Sequence, residues 1–594
     1  MTFELTRRNV LNGASGTLLT GGSAFVRPVH AERELLHEFA YGDVKLTGGP
    51  LAEHYNWIKA HYLSLDNDRL LKVYRQHAGL AAPGRDMGGW YDADGFVPGL
   101  TFGQYISGLA RFGRASGDGA CHAKVATLVE EFAKVLARNP DPFAGPNAEK
   151  QWAAYVTDKH NIGLIDAYRL SNVQIAAELL PRVWQGAKPF ISPTSRDRIG
   201  KKDPPYDETY VLSENLFAAA KVTGDGKFRA LAQHYLLDKE FFDPLARGED
   251  VLPAKHAYSH AIALSSAAAA YLVLGDPKYK AALINAWRFL ELQRYASGGW
   301  GPEEQFVTPH RGALYASLFG TKAHFETPCG SYANTKLARY LLRFTGDARY
   351  GDGLERDIYN TILAAKRPDD DGDYPYYSTY GAGADKEYYP HKWPCCSGTL
   401  AQCVADYPLN LYFHARDRLY VNIYAPSEVR WAANGQIIRL QQKTDFPDSE
   451  TISLRLAMAR PARFALNLRI PGWIAATPRI LVNGQAIRTN AVAGSFAVLE
   501  RRWKDGDIVE LTLPQSLRTL PIDDQHPDTV ALMNGPVMYV AAAGVPAGRT
   551  ITPPPGLMRL PQTPDGTPLP GNGAVLVPYY RVKDETYDAY FRIA

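Results

Sequence analysis

Cysteine is scarce in this chain, with 5 residues among 594. That number excludes a small protein held together by disulfides, in which cysteine is dense. Neither sign of charge is in excess, because 65 Lys and Arg stand against 62 Asp and Glu, for a net charge of +3. The sequence also has no long basic run, so we expect no nucleic-acid partner.

Hydrophobic residues make up 46% of the chain and aromatic residues 11%, which is the composition of a globular protein and excludes a disordered one. The length allows several domains, or one large closed barrel with smaller additions. The 35 Tyr and 10 Trp offer flat rings that suit the faces of sugars, although most of them are expected in the core.

The first residues have the pattern of an export signal. Arg7-Arg8 precedes a mildly apolar, glycine-rich stretch over 11–26, followed by the small-residue spacing of Val29-His30-Ala31. We predict a twin-arginine signal peptide over 1–31 and a periplasmic or secreted protein. The alternative is a frayed N-terminus with a chance arginine pair. The apolar stretch is too short to cross a bilayer, so no membrane span is expected.

Helical periodicity dominates residues 51–414, with apolar residues three and four apart, as in 101–114, 210–222, 258–274 and 331–344. Four of these segments end in Gly-Asp, at Gly117-Asp118, Gly224-Asp225, Gly275-Asp276 and Gly346-Asp347. Glycine suits a left-handed helix end, and aspartate can cap the next helix. The repeated helix pair predicts an (α/α)6 toroid over 51–414, with an open solenoid as the alternative.

From 415 the apolar pattern changes to a period of two, as in 419–424, 452–456, 464–470 and 508–513, with turns such as Asn483-Gly484 between the segments. This pattern predicts a β-sandwich domain over 415–524. Residues 525–594 are expected to form a C-terminal β segment or second sandwich layer. Residues 32–50 are expected to hold a strand that packs on the β region. The predicted fold class is therefore multidomain, with helical and β domains.

Three of the five cysteines stand in an unusual pattern. Cys395 and Cys396 are adjacent, and Cys329 follows Glu326 by three positions. Adjacent cysteines do not readily bond to each other, and a Cys329–Cys395 bridge would leave Cys396 unpaired. Three thiolates and one carboxylate suit tetrahedral zinc, while a disulfide and inert thiols stay open as alternatives. The single Cys121 and Cys403 are expected to be buried apolar residues.

Two adjacent glutamates, Glu303 and Glu304, follow a glycine-rich turn and are candidate acids on a loop, with a solvated loop as the alternative. A metal-held thiolate is a competent nucleophile, and it becomes useful when an acid stands opposite to protonate a leaving group. The acidic run 369–373 lacks the distal glutamate of a calcium loop and is expected to be a solvated turn.

Taken together, these sequence motifs resemble those of glycoside hydrolase family 127, the zinc-dependent β-L-arabinofuranosidases and their relatives. The resemblance covers nearly the whole chain after the signal. In the helical part it rests on Gly88-Gly89-Trp90, 103–107, 159–168, Gly298-Gly299 with 304–306, 326–329, 345–350 and 394–396, and in the β part on 468–473, 482–484 and 503–507. The Cys-Cys pair together with the Glu–Cys element is the most specific part.

The resemblance implies a zinc ion bound by Glu326, Cys329, Cys395 and Cys396. It further implies that Cys395 is the nucleophile and Glu304 the general acid/base, with Glu303 as the alternative acid. One departure from the family pattern concerns the metal site. The family commonly has one residue between the glutamate and the first cysteine, whereas Thr327-Pro328 stands there in this chain.

The predicted function is that of an exported, retaining exo-glycosidase acting on a terminal β-L-arabinofuranoside or similar sugar in an arabinose-containing glycan or glycoconjugate. Substrate hydroxyls are expected to contact His160, His256, His391, Tyr376 and Tyr377. Two alternatives stay open: a polysaccharide lyase on the same scaffold, and a carbohydrate-binding protein whose zinc is structural. The sugar, the aglycone and the oligomeric state are not specified by the sequence.

Overall fold

The computed structural model of the protein describes residues 33–145, 152–198, 208–545, 550–554, 556–560 and 575–593. The predicted signal peptide over 1–31 lies outside the described residues and stays a prediction.

The α-helices of the described residues all lie between Gly49 and Leu411. They are α1 Gly49–Ser64, α2 Asn67–His77, α3 Phe102–Ser116, α4 Gly119–Arg138, α5 Ala153–Ser171, α6 Ile175–Ala187, α7 Leu212–Thr223, α8 Gly226–His234, α9 Asp243–Ala246, α10 Ala257–Leu274, α11 Pro277–Glu291, α12 Ala313–Gly320, α13 Thr327–Thr345, α14 Arg349–Asp357, α15 Cys395–Ala405 and α16 Tyr407–Leu411.

Six of these helices form a closed inner ring. In order around the ring they are α3, α5, α7, α10, α13 and α15; each contacts the next, and α15 contacts α3. The helices α4, α6, α8, α11 and α14 pack on the outside, each against the inner helix that precedes it. The predicted toroid is therefore confirmed, because an open solenoid would keep its first and last inner helices apart.

The helix ends follow the predicted chemistry. All four glycines of the Gly-Asp phrases have left-handed backbones, with φ between 68° and 81°. The aspartates at 118, 225 and 276 each accept a hydrogen bond from the backbone N–H two residues later, at 2.9–3.0 Å. One boundary differs from the prediction: α13 begins at Thr327 rather than at 331, because Pro328 stands at a first-turn position that proline favours. Cys329 is therefore helical.

The inner helices α3 and α5 approach each other backbone to backbone at two glycines. A Cβ atom added to Gly103 would lie 1.9 Å from the Lys159 carbonyl oxygen, and one added to Gly163 would lie 2.4 Å from the Gly103 carbonyl oxygen. Both positions thus require the absence of a side chain, which explains the glycines that interrupt these apolar helices.

One inner helix is long and apolar enough to cross a membrane. This helix, α10, has 78% of its 18 residues buried inside the protein. Its place in the inner ring, with neighbours on both sides, accounts for that composition.

The strands are β1 His37–Glu38, β2 Val44–Leu46, β3 Phe325–Glu326, β4 Tyr377–Ser378, β5 Tyr412–Ala415, β6 Arg418–Val421, β7 Ser427–Ala433, β8 Gln436–Thr444, β9 Thr451–Ala457, β10 Ala462–Ile470, β11 Arg479–Val482, β12 Gln485–Ala486, β13 Ser495–Trp503, β14 Ile508–Thr512, β15 Leu517–Pro521, β16 Thr529–Asn534, β17 Val537–Ala542, β18 Leu557–Arg559, β19 Val575–Pro578, β20 Tyr587–Asp588 and β21 Phe591–Ile593.

Two sheets form the layers that follow the toroid. One has the order β1-β5-β6-β10-β13 and the other β12-β11-β14-β9-β8-β7-β2. The rings of Trp431 and Phe464, from opposite sheets, lie 5.3 Å apart between them. The strands β1 and β2 pair with β5 and β7, so residues 37–46 join these sheets from the N-terminal side of the toroid.

A third sheet, built from β15 to β21, begins at Leu517, earlier than the boundary expected at 525. It packs on a loop of the toroid: the backbone N–H of Tyr587 donates to the Ala384 carbonyl at 2.7 Å. Lys386 donates to the carbonyls of Tyr579 at 3.0 Å and Val582 at 2.7 Å. Burial lowers the pKa of Lys386 to about 7.

Replacing Gly103 with Ala should lower the free energy of unfolding by about 1–3 kcal/mol, because the new methyl group would meet the backbone of α5. Denaturant unfolding followed by circular dichroism measures the change. The matched control is Gly119→Ala in the first turn of α4, where no atom lies within 4 Å of the added Cβ. Equal stability of the two variants would contradict the backbone contact.

Candidate active site

The predicted metal ligands meet at the N-terminal ends of two adjacent inner helices. Cys395 and Cys396 open α15, Glu326 directly precedes α13, and Cys329 lies in the first turn of α13. A helix N-terminus carries partial positive charge and lowers the cost of a nearby thiolate or carboxylate. The two helix N-termini therefore offset part of the cost of ionising these buried groups.

The four side chains form a compact, buried cluster. The Cys329 Sγ atom lies 3.6 Å from Cys395 Sγ and 3.4 Å from Cys396 Sγ. The Oε1 atom of Glu326 lies 3.5 Å and 3.6 Å from the Sγ atoms of the adjacent pair. Tetrahedral zinc with Zn–S bonds of about 2.3 Å separates its sulfur ligands by about 3.8 Å. The observed distances between the sulfur atoms are therefore close to those of a tetrahedral zinc site.

These distances decide against the disulfide alternative. A disulfide bond is about 2.05 Å long, and all five cysteines are free and buried. The extra residue between Glu326 and Cys329 does not separate the two side chains, because the chain turns directly from β3 into α13.

The chemistry of the cluster fits a bound cation. The Glu326 Oε2 atom is buried and has no hydrogen-bond partner in the described part of the chain. Buried anionic groups are normally paired with a cation or coordinate a metal. Ligand atoms of all four residues lie within 4.8 Å of one another, so the group could hold a metal ion.

The three thiols differ in their surroundings. Burial opposes ionisation of all three, but contacts with Cys329, Cys396 and the Tyr376 hydroxyl hold the pKa of Cys395 well below its usual value. Its Sγ atom lies 3.7 Å from the Tyr376 hydroxyl. Burial raises the pKa values of Cys329 and Cys396. Cys395 is thus the thiol whose environment favours the thiolate.

Glu304 lies beside the cluster on the short turn Pro302–Glu304. It is 7% exposed, and its backbone φ of 61° lies in the left-handed region, which is costly for a residue with a side chain. Glu303 is exposed and accepts a hydrogen bond from Thr321. Ligand atoms of His256, Glu304 and Glu326 lie within 4.8 Å of one another. The turn therefore brings Glu304 to the site and leaves Glu303 at the surface.

Two side chains hold the Glu304 carboxyl group. The Tyr377 hydroxyl donates to Oε1, and His256 Nε2 lies 3.3 Å from Oε2. The backbone N–H of Ser259 donates to His256 Nδ1 at 3.3 Å, which caps α10. Because that ring nitrogen accepts, the neutral imidazole carries its hydrogen on Nε2, facing Glu304.

Four of the five predicted substrate contacts lie at or near this cluster. Tyr376, Tyr377 and His256 border it, and the exposed His391 ring lies 5.6 Å from the ring of Tyr389, which stacks on Tyr376 at 4.4 Å. The structure gives each of these residues a contact to the site or to a ring that lines it.

His160 is not brought to the cluster. Its ring stacks on Phe132 at 5.1 Å, and its Nε2 atom lies 3.1 Å from the Pro142 carbonyl oxygen. Burial lowers its pKa to about 4. These are the surroundings of a neutral histidine packed between helices. The position of His160 therefore differs from the expectation that it lies with the other candidate substrate contacts.

The segment Gly88-Gly89-Trp90, which precedes α3, contacts the loop that leads into Cys395. The backbone N–H of Trp90 donates to the Lys392 carbonyl at 3.0 Å, and a Cβ on Gly89 would lie 2.3 Å from the same oxygen. The Trp393 indole N–H donates to the Met87 carbonyl at 2.7 Å. Two segments far apart in sequence thus fix the start of α15.

Beyond Tyr376 and Tyr377, sequence reasoning did not assign the other aromatic residues near the cluster to the site. The Trp90 ring lies 5.7 Å from Tyr389 and 6.0 Å from Trp152. Proximity to the cysteine pair could have drawn attention to Tyr389, whereas no sequence pattern indicates Trp152.

Comparison with known proteins identifies the family of this chain. The family model described as "Beta-L-arabinofuranosidase, GH127 catalytic domain" matches residues 43–409, and that of the GH127 middle domain matches residues 418–515. The chain belongs to glycoside hydrolase family 127. The family resemblance and the predicted enzyme class, a glycoside hydrolase, are thereby confirmed.

Solved GH127 structures share the fold. A GH127 β-arabinofuranosidase has a TM-score of 0.74 at 18% identity, covering 94% of this chain and 98% of that one. A GH127 β-L-arabinofuranosidase from Geobacillus stearothermophilus T6 has a TM-score of 0.69 at 16% identity, covering 92% and 99%.

A curated relative is the non-reducing end β-L-arabinofuranosidase of Bifidobacterium longum subsp. longum, 25% identical over 233 residues. That match spans 36% of this chain and about a third of the relative, 35% of its length.

Replacing Cys396 with Ser should lower metal affinity by more than tenfold, because one of four ligand groups is lost. Elemental analysis of the purified variant and competition with a chelator measure the loss. The matched control is Cys403→Ser in the same helix, whose thiol contacts the Pro328 carbonyl instead of the cluster. Full metal content in the Cys396 variant would contradict the assigned ligand set.

Proposed function

We propose that this protein is a retaining exo-glycosidase that removes terminal β-L-arabinofuranosyl residues or a closely similar sugar. The observation that carries the proposal is the buried Cys395 thiol beside the buried Glu304 carboxyl group, within a GH127 fold. The names of the relatives support the choice of sugar.

We further propose that the metal is zinc, bound by Glu326, Cys329, Cys395 and Cys396. The three sulfur donors and one oxygen donor, all buried, support that choice. When bound, zinc would keep the thiols ionised at neutral pH and balance the buried negative charge.

In this reaction the Cys395 sulfur attacks the anomeric carbon while Glu304 donates a proton to the leaving glycosidic oxygen. The carbon–oxygen bond breaks, the carbon–sulfur bond forms, and the aglycone leaves as an alcohol. Glu304, now ionised, removes a proton from water, and the hydroxide replaces the sulfur at the anomeric carbon. Two displacements return the original configuration. The sugar leaves as a free hemiacetal, and the Cys395 thiolate and the protonated Glu304 carboxyl group are regenerated.

The side chains around Glu304 fit this double role. His256 and Tyr377 both point a hydrogen at the carboxyl oxygens, and these two contacts fix the orientation of the Glu304 side chain. Tyr376, beside the Cys395 sulfur, and His391, at the outer edge, are the further candidates for contacts with substrate hydroxyls.

Replacing Glu304 with Gln should lower kcat on p-nitrophenyl β-L-arabinofuranoside by about 10²–10⁴-fold, because the proton donor and base is removed. The matched control is Glu303→Gln, whose exposed side chain contacts Thr321, and its kcat should stay within about twofold of the wild type.

Metal content and thermal unfolding are measured in both variants, to separate chemistry from folding. A large loss of kcat in the Glu303 variant alone would contradict the assignment of Glu304 as the general acid. Hydrolysis of other p-nitrophenyl furanosides or pyranosides, but not of this one, would contradict the choice of sugar.

We also propose that residues 1–31 direct twin-arginine export. The motif Arg7-Arg8 followed by the apolar stretch 11–26 supports this. Replacing both arginines with Lys should keep the protein in the cytoplasm, as measured by cell fractionation, while Arg27→Lys should leave export unchanged. Export of the double variant at the wild-type level would contradict the proposal.

A further inference from the structure

A line of aromatic rings leads away from the Cys395 sulfur. Tyr376 begins it with its hydroxyl 3.7 Å from that sulfur, and its ring stacks on Tyr389. The Trp90 ring meets Tyr389 edge-on at 5.7 Å, and the Phe96 ring lies 4.8 Å from Trp90. Together with Trp152, these residues form what we call the aromatic lane.

The inner and outer ends of the lane differ in exposure. Tyr376 is 4% exposed and Trp90 9%, whereas Phe96 is 40% exposed. The lane therefore runs from the buried thiol to the surface and leaves a large apolar ring uncovered at its outer end.

Trp152 forms the second ring at the outer end of the lane. It stands edge-on to Phe96 at 5.4 Å and to Trp90 at 6.0 Å. Its backbone is left-handed, with φ of 57°, which a non-glycine residue adopts only at a cost. Its indole Nε1 is buried and has no hydrogen-bond partner in the described part of the chain. A buried donor in that state favours a ligand that offers an acceptor.

We propose that Phe96 and Trp152 bind the aglycone of the substrate, and that this aglycone is a neutral sugar ring. The inference rests on the proposed function, because it places the reacting sugar at Cys395 and Glu304. An exo-acting enzyme takes the terminal sugar into the buried end of its site. The leaving group therefore extends toward the exposed end, where these two rings lie.

The chemistry of the lane selects the class of aglycone. Aromatic rings can cover the flat, apolar face of a sugar ring, while the indole N–H of Trp152 can donate to one of its hydroxyls. None of the five lane residues is charged. A neutral sugar therefore fits the lane better than a uronic acid or a charged peptide.

The test compares kcat/KM for two substrates, a β-L-arabinofuranosyl-galactopyranose disaccharide and methyl β-L-arabinofuranoside, which has no ring to bind. In Phe96→Ala and in Trp152→Ala the disaccharide-to-methyl ratio should fall about tenfold. Trp152→Phe, which keeps a ring but loses the N–H, should lie between these variants and the wild type. Phe96→Leu keeps the apolar volume without the ring and replaces Phe96→Ala if that variant does not fold.

Phe190→Ala is the matched control, because Phe190 is also a partly exposed ring, 36% exposed and packed on Phe143 outside the lane. It should keep the wild-type ratio. An unchanged ratio in both lane variants, with normal metal content and thermal unfolding, would overturn the inference. The kcat/KM for p-nitrophenyl β-L-arabinofuranoside is also compared with that for the methyl glycoside. If the lane variants lower this second ratio and leave the disaccharide-to-methyl ratio unchanged, the aglycone is an aryl group and the sugar assignment is overturned.

Failure of the proposed function gives a different result. If the wild-type protein hydrolyses neither substrate, the choice of sugar or of reaction is wrong. Quenching of tryptophan fluorescence by the disaccharide then still measures binding. At least tenfold weaker binding by Phe96→Ala than by the wild type would support the lane as a sugar site, and equal binding would overturn it.

Discussion

Burial of three thiols and a carboxyl group within a few ångströms of one another is the constraint on which the site depends. An isolated ionised group is strongly disfavoured away from water, and a cluster of like charges is worse. Two features offset this cost here: the partial positive charge at the starts of α13 and α15, and a ligand geometry that fits a cation. The site therefore requires two helix N-termini side by side, and a closed inner ring of helices supplies them.

The site combines rigid and irregular parts. The three clustered thiols stand on inner helices, which fixes their separations, whereas Glu304 and Tyr377 stand on a short turn and a two-residue strand. Left-handed backbones at Glu303 and Glu304 send one carboxylate outward and the other inward. Glu303 and Glu304 are adjacent and carry the same charge. The local backbone conformation nevertheless places one side chain in solvent and the other at the site.

Much of the fold could be predicted because its signals are local. Glycine followed by aspartate marks helix ends at Gly117 and Gly275, and alternating apolar residues mark strands such as β9. The cluster of Cys329, Cys395 and Cys396 could be predicted because cysteine is rare in this chain. The packed position of His160 could not be predicted, since its neighbours Phe132 and Pro142 come from other elements. The same holds for Phe96 and Trp152, which meet only through the tertiary fold.

The contacts of the third sheet have a consequence for the order in which the site can be assembled. Tyr587 and Tyr579 contact the loop that contains Ala384 and Lys386, between Tyr377 and Tyr389. Because a chain emerges from the ribosome in sequence order, Cys329 and Cys395 are synthesised well before the strands that support this loop. The thiols therefore pass through a period in which their surroundings are incomplete. The complete surroundings of Cys395 therefore depend on residues almost two hundred positions downstream.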